Sequence, residues 1–146
     1  FLIDHHHQSL ALSEIGKEKA IGQIIRGGEV WQPRSGEPAN FWRFMLEKHW
    51  VYLMDENGKG PLDPRKLPSK LTNLKDDLYR SLAWAAREED CFDKTDIPFA
   101  EFRWAQFFRG RVPNLGSSRS AFEKMISQAM ELCSSPEAAD LPGYRQ

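Results

Sequence analysis

Near the start of the 146-residue chain an aspartate, three histidines and a glutamine stand together as Asp4-His5-His6-His7-Gln8. Imidazoles gain and lose a proton near neutral pH, and a neighbouring carboxylate can orient one ring or a metal-bound group. Such a stretch could bind an anion, move a proton or ligate a metal, and the backbone that carries it decides which. Phe1-Leu2-Ile3 reads as a β-type run, and Leu10, Ala11, Leu12 and Ile15 read as an apolar helical face that stops at Gly16. The motif then occupies a strand-to-helix turn, with Asp4 as the N-cap and His5, His6 and His7 in the first helical positions. Amides at a helix start have no partner within the helix and lie at the positive end of its dipole, which favours a phosphate or carboxylate ligand. The plainer reading is an aspartate cap followed by solvated histidines. Zinc fits less well, because adjacent helical residues point about 100° apart whereas zinc-binding helices space their ligands four residues apart. Lying between an apolar strand and a helix, the short run reads as native rather than as the remnant of a tag.

The elements that must position this turn follow from patterning. Lys19 to Val30 reads as a strand with a bulge or turn at Gly27-Gly28, and residues 31–40 as a Pro- and Gly-containing loop. Asn40 is placed as the cap of a helix carrying Phe41, Trp42, Met45 and Leu46. Trp50 to Met54 is a further β-type run, ended by a turn at Asp55-Glu56-Asn57-Gly58. After a Pro-rich connector, three helices are predicted. The first is capped by Asp76 or Asp77, runs through Glu89, and buries Leu78, Leu82, Ala85 and Ala86. The second runs from near Pro98 toward Gly110. The third is capped by Ser117 or Ser118 and carries one stripe of Phe122, Met125, Ile126, Ala129, Met130 and Cys133. The tail from Ser134 onward is expected to be poorly ordered. These expectations make an α+β domain: a small mixed sheet over residues 1–60, a helical extension packed on it over 61–135, and a tail over 136–146. A start at Phe1 inside a strand-like run also leads us to expect sequence upstream, and with it part of the fold.

Composition narrows the classes of function. With 20 Lys and Arg against 21 Asp and Glu the formal charge is -1, so no global field draws the chain to nucleic acid or an anionic membrane. No apolar run approaches the roughly 18 residues of a membrane helix, and no signal segment is visible. Cys91 and Cys133 match neither a CxxC pattern nor a dense disulfide scaffold, so they read as free thiols of a cytoplasmic protein.

Other candidates carry less. PFAEFRWAQFFRGR interleaves Arg103, Arg109 and Arg111 with Phe102, Trp104, Phe107 and Phe108, a composition suited to stacking single-stranded nucleic acid. Its aromatics fall on two sides of a helix, however, which favours a buried helix whose arginines reach out or pair with Glu88, Glu89 or Glu101. Gly27-Gly28 and Lys59-Gly60 lack a P-loop context, and Ser9, Ser13, Cys91 and Cys133 lack a nucleophile elbow or base partner. His49 reads as a structural residue at a helix end.

Phe1 through Gln8, followed by Leu10, Ala11 and Leu12, resembles the "strand, D-G-H-H-R, helix" signature of the ParB/sulfiredoxin superfamily, in particular its ParB-like nuclease branch. The stretches FWRFMLEKHWVYLMDENGKGPL and DDLYRSLAWAAREEDCFDKTDIPFAEFRWAQFFR resemble bacterial proteins of that branch. In the superfamily this turn binds nucleotide phosphates: ATP in sulfiredoxins, CTP in ParB clamps, ATP or ADP in free-serine kinases. The resemblance therefore implies a phosphorylated or nucleotide ligand, ATP, ADP or CTP with Mg, and phosphoryl transfer to a small molecule by a nucleotide-dependent phosphotransferase. It assigns catalytic roles to Asp4, His6 and His7 and phosphate contacts to His5, His6, His7 and Gln8. Two positions depart from the signature. His5 replaces its glycine, and Gln8 stands where arginine would supply a bidentate phosphate donor. The acidic residue that the kinases use would lie upstream of Phe1. A non-catalytic binding or assembly module, with a homo-oligomer among its forms, is the alternative. Nuclease action is a third, for which the sequence shows no paired-carboxylate metal site.

Overall fold

A computed structural model describes residues 6–17, 19 and 38–145, apart from the side chains of His7 and of residues 38–40. They form five helices: α1 (His6–Glu14), α2 (Pro38–Glu47), α3 (Leu78–Glu88), α4 (Ala100–Arg109) and α5 (Arg119–Cys133). Short 3₁₀ turns lie at Pro64–Lys66, Leu71–Asn73 and Pro136–Ala138. Two compact units result. One comprises the described residues up to Asp55 with Lys59–Lys75, and the other Glu56–Gly58 with everything from Asp76 onward.

The expected α+β class is overturned among the described residues, which contain no strand and no sheet; their β-type pairing is an isolated antiparallel bridge, Phe92 to Tyr144. Trp50 to Met54 shows why. The run is extended, and its bonds to the returning chain close a turn: Asp55 N donates to Lys59 O (2.9 Å) and Leu62 N to Leu53 O (2.7 Å). Pro61, lying between these positions, has no N–H with which to extend a ladder. The strands expected at Phe1 to Ile3 and Lys19 to Val30 lie outside the described residues, apart from Lys19 itself.

In the first unit α1 lies beside the Leu71–Asn73 turn. Its end is a Schellman motif: Lys17 N donates to Leu12 O and Gly16 N to Ser13 O, with Gly16 at φ +74°. The expected single apolar face is not formed. Leu10 and Leu12 are half-buried while Ala11 and Ile15 are exposed, because positions two apart on a helix point about 200° apart. α2 starts two residues before Asn40, so that residue lies within the helix rather than at its cap. The same terminal motif ends it, with Trp50 N on Met45 O, His49 N on Leu46 O, and His49 in the left-handed region. The structural reading of His49 holds.

The second unit is built on three helices. Asp77 caps α3, its carboxylate accepting from the amides of Tyr79 (3.0 Å) and Arg80 (3.2 Å). Ser118 caps α5 through Ala121 N. α3 packs against both α4 and α5. Alanines at 83 and 86, fully buried, let their backbones approach, and Leu82, Trp104, Phe108, Met125 and Ala129 fill the space between. Each large apolar side chain so buried contributes about 1.5–3 kcal/mol. The predicted α5 stripe is the observed one: Met125, Ala129 and Cys133 are buried, and Phe122, Ile126 and Met130 pack on the same cluster.

Two expectations fail here. Cys91 and Cys133 are not free thiols but a disulfide, with Cα atoms 5.4 Å apart across 42 residues of sequence. The pairing removes the thiol argument for a reducing compartment. No helix among the described residues is long and apolar enough to cross a membrane. The tail expected to be poorly ordered is instead part of the core. Ala138 is fully buried, Trp104 Nε1 donates to Pro142 O (2.8 Å), and Asp93 N donates to Gly143 O (2.7 Å).

Candidate functional site

The helix that carries the histidine run begins at His6, so His6, His7 and Gln8 form its first turn. Their amides are those that an α-helix leaves without an internal acceptor, and the helix dipole adds a partial positive charge there. His6 is half-buried and Gln8 exposed, as expected for residues about 200° apart around the axis. Asp4 and His5 lie outside the described residues, as does the side chain of His7. The structure therefore gives positions to two of the five predicted side chains, His6 and Gln8. No group of three or more His, Cys, Asp or Glu suited to a metal occurs among the described residues.

The other stretches singled out in the sequence have structural employment. In α4 Trp104, Phe107 and Phe108 are buried, Trp104 stacking on Phe92 with ring centroids 4.4 Å apart. This supports the core reading over a stacking surface for nucleic acid. The arginine pairings differ from those expected. Glu101 is bound by Arg80 and Arg87 of α3, and Arg87 also meets Glu88 at 2.9 Å. Arg109 turns to Asp77, with its guanidinium over the Tyr79 ring at 4.8 Å, while Arg111 lies 4.1 Å over Phe107. The i, i+7 spacing of Arg80 and Arg87 was the available sequence signal for a shared partner, since such positions lie on one helix face.

Lys59-Gly60 serves a turn. Lys59 N donates to Asp55 Oδ1 (2.7 Å), and a side chain at Gly60 would strike Leu53 O and Met54 Sδ. Nearby, the Arg65 guanidinium and amide on Asp63 hold that carboxyl down to about 2 from the ordinary 3.8. Gly27-Gly28 lies outside the described residues.

Residues 1–110 match the family model described as "Putative ParB-like nuclease". The chain belongs to that family. The match takes in the DHHHQ run and α1 through α4, and it ends before α5. This ParB-like protein is also similar to a protein of known crystal structure, Atu1540 from Agrobacterium tumefaciens. The two share 34% identity and superpose with a TM-score of 0.79, over 99% of this chain and 73% of the other. That likeness extends the resemblance across α5 and the C-terminal segment. No curated protein matches the chain.

Proposed function

We propose that this ParB-like protein binds a phosphorylated ligand, and more narrowly a nucleotide, at the run from Asp4 to Gln8. The observation that supports the reading is the start of α1 at His6, which puts the positive end of a helix dipole and the histidine run at one point of the chain. Backbone amides would donate to phosphate oxygens, and the imidazoles of His6 and His7 would add further donors. Asp4 would orient one imidazole. With ATP, ADP or CTP and magnesium as the donor complex, the same groups are suited to support phosphoryl transfer to a small molecule.

Isothermal titration of ATP, ADP and CTP, each with magnesium, tests the proposal. We expect heat for at least one nucleotide and its loss in His6→Ala and His7→Ala proteins. Absence of heat for all three, or unchanged binding in both variants, would sink it.

Gln8 favours a second reading, a non-catalytic binding or assembly module in which the phosphate site is degenerate, because the amide replaces a charged bidentate donor. Under that reading alanine at His6 and His7 leaves activity in cells intact. Nuclease action is distinguished by plasmid nicking that needs both magnesium and the histidines.

A further inference from the structure

The four residues that follow the C-cap of α3, Asp90-Cys91-Phe92-Asp93, each hold part of the segment from Cys133 to Arg145. Asp90 accepts from Arg145 Nη1 through its carbonyl (3.0 Å) and Oδ1 (3.2 Å). Cys91 is bonded to Cys133. Phe92 bridges to Tyr144, and Asp93 donates its amide to Gly143 O while Oδ1 accepts from Arg145 at 2.6 and 2.8 Å. The ion pairs are solvent-facing, with side-chain exposures of 43% for Arg145, 58% for Asp93 and 82% for Asp90, and such pairs hold a segment weakly. The covalent link lies inside, its cysteines 3% and 4% exposed.

We propose that Cys91–Cys133 is a redox clasp that determines whether the C-terminal segment stays docked on Asp90 to Asp93. The Cα separation of 5.4 Å is one that a disulfide spans without backbone movement. Closing the clasp joins the two sulfurs. Each thiol gives up its hydrogen, and a small-molecule disulfide such as oxidised glutathione takes the two electrons and two protons and leaves as two thiols. A dithiol such as dithiothreitol reverses the step, returning both hydrogens to the protein and becoming a cyclic disulfide itself. Opened, the link that fixes the end of α5 beside α3 is gone, and docking is left to the exposed ion pairs, the Trp104 contact and the Phe92 bridge, from which the segment detaches far more often.

Alkylation and hydrogen exchange on the full chain, after incubation with oxidised glutathione or with dithiothreitol, test the clasp. The oxidised protein is expected to resist alkylation under denaturing conditions, and the reduced protein to take up two alkyl groups. Amides of residues 134–145 should exchange at least about tenfold faster in the reduced form, while those of α3 change by less than about twofold. A Cys91→Ser/Cys133→Ser protein should show the faster rate in both buffers; if it does not fold, the wild-type comparison decides. Two alkylatable thiols persisting after oxidant treatment would overturn the proposal. So would equal exchange of 134–145 in the two redox states, or a loosening of α3 as large as that of the C-terminal segment.

Discussion

Asp77 and Arg109 join the N-cap of α3 to the last residue of α4: Arg109 Nη2 donates to Asp77 Oδ1 at 2.9 Å and Oδ2 at 2.7 Å. The same carboxylate caps α3 through the amides of Tyr79 and Arg80, and the same guanidinium reaches Glu56 O. Both side chains are mostly covered, at 15% and 17% exposure, so removing one leaves the other with an unmet charge. Asp77→Ala should therefore destabilise the protein by about 2–3 kcal/mol, the sum of a lost cap and an unpaired arginine. Asp77→Asn keeps a capping oxygen and should cost about half as much. Urea unfolding of the two variants and of Arg109→Ala gives the comparison; equal losses for Ala and Asn would show that the cap contributes nothing.

Gly143 has φ +76°, and a Cβ built there collides with the backbone carbonyl of Asp93. We expect Gly143→Ala to cost about 2–4 kcal/mol, from left-handed strain plus displacement of the Asp93 contact. Gly116 is also left-handed but opens onto free space, so Gly116→Ala should show the backbone cost of about 1–2 kcal/mol alone. Urea midpoints of the two variants, measured side by side, separate collision from strain.

Asp63 should titrate near 2 rather than at the ordinary 3.8. Its charged form is favoured by Arg65, so the interaction is complete above the ordinary aspartate range and is lost as the pH falls through about 2. Arg65→Ala should return the carboxyl toward 3.8. Carboxyl carbon NMR shifts followed with pH report this directly. Because the pair is exposed, the melting temperature at neutral pH should hardly change.

Gln8 supplies a test of the proposed phosphate site in the direction of gain. A guanidinium at the exposed position 8, in the first turn of α1, would add a charge-assisted, two-toothed donor. Gln8→Arg should then tighten nucleotide binding by about 3- to 10-fold in calorimetry, and Gln8→Lys by less. An unchanged constant in both would place the ligand elsewhere.

The sequence was most legible where burial follows one period. The stripe from Phe122 to Cys133 repeats every three or four residues, and the helix it predicts is α5 with the same buried side. In α1 the apolar residues cluster at 10, 11 and 12, and neighbours in sequence cannot share a helix face, so the predicted stripe dissolved. Trp50 to Met54 has strand-like residues, but strand formation depends on what a distant partner can donate, and Pro61 lies in the returning segment. The Cys91–Cys133 pairing and the docking of Pro142 and Gly143 are tertiary facts between small or widely separated residues. Nothing local announces them. Of the candidate site, the residue types and the presence of a helix at the histidine run were legible; the expected cap at Asp4 and first helical position at His5 lie outside the described residues, and α1 is seen from His6.

Asp90 carries two demands at once. It ends α3 in the left-handed region at φ +64°, with Cys91 N on Ala86 O and its own N on Arg87 O, and its side chain and carbonyl both receive Arg145. Glycine or asparagine would make the turn more easily but surrender the charge, and glutamate would keep the charge while fitting the turn poorly. Related chains that retain an arginine at the position of Arg145 should thus have little latitude at this residue, and those that lose the arginine should drift toward glycine or asparagine there.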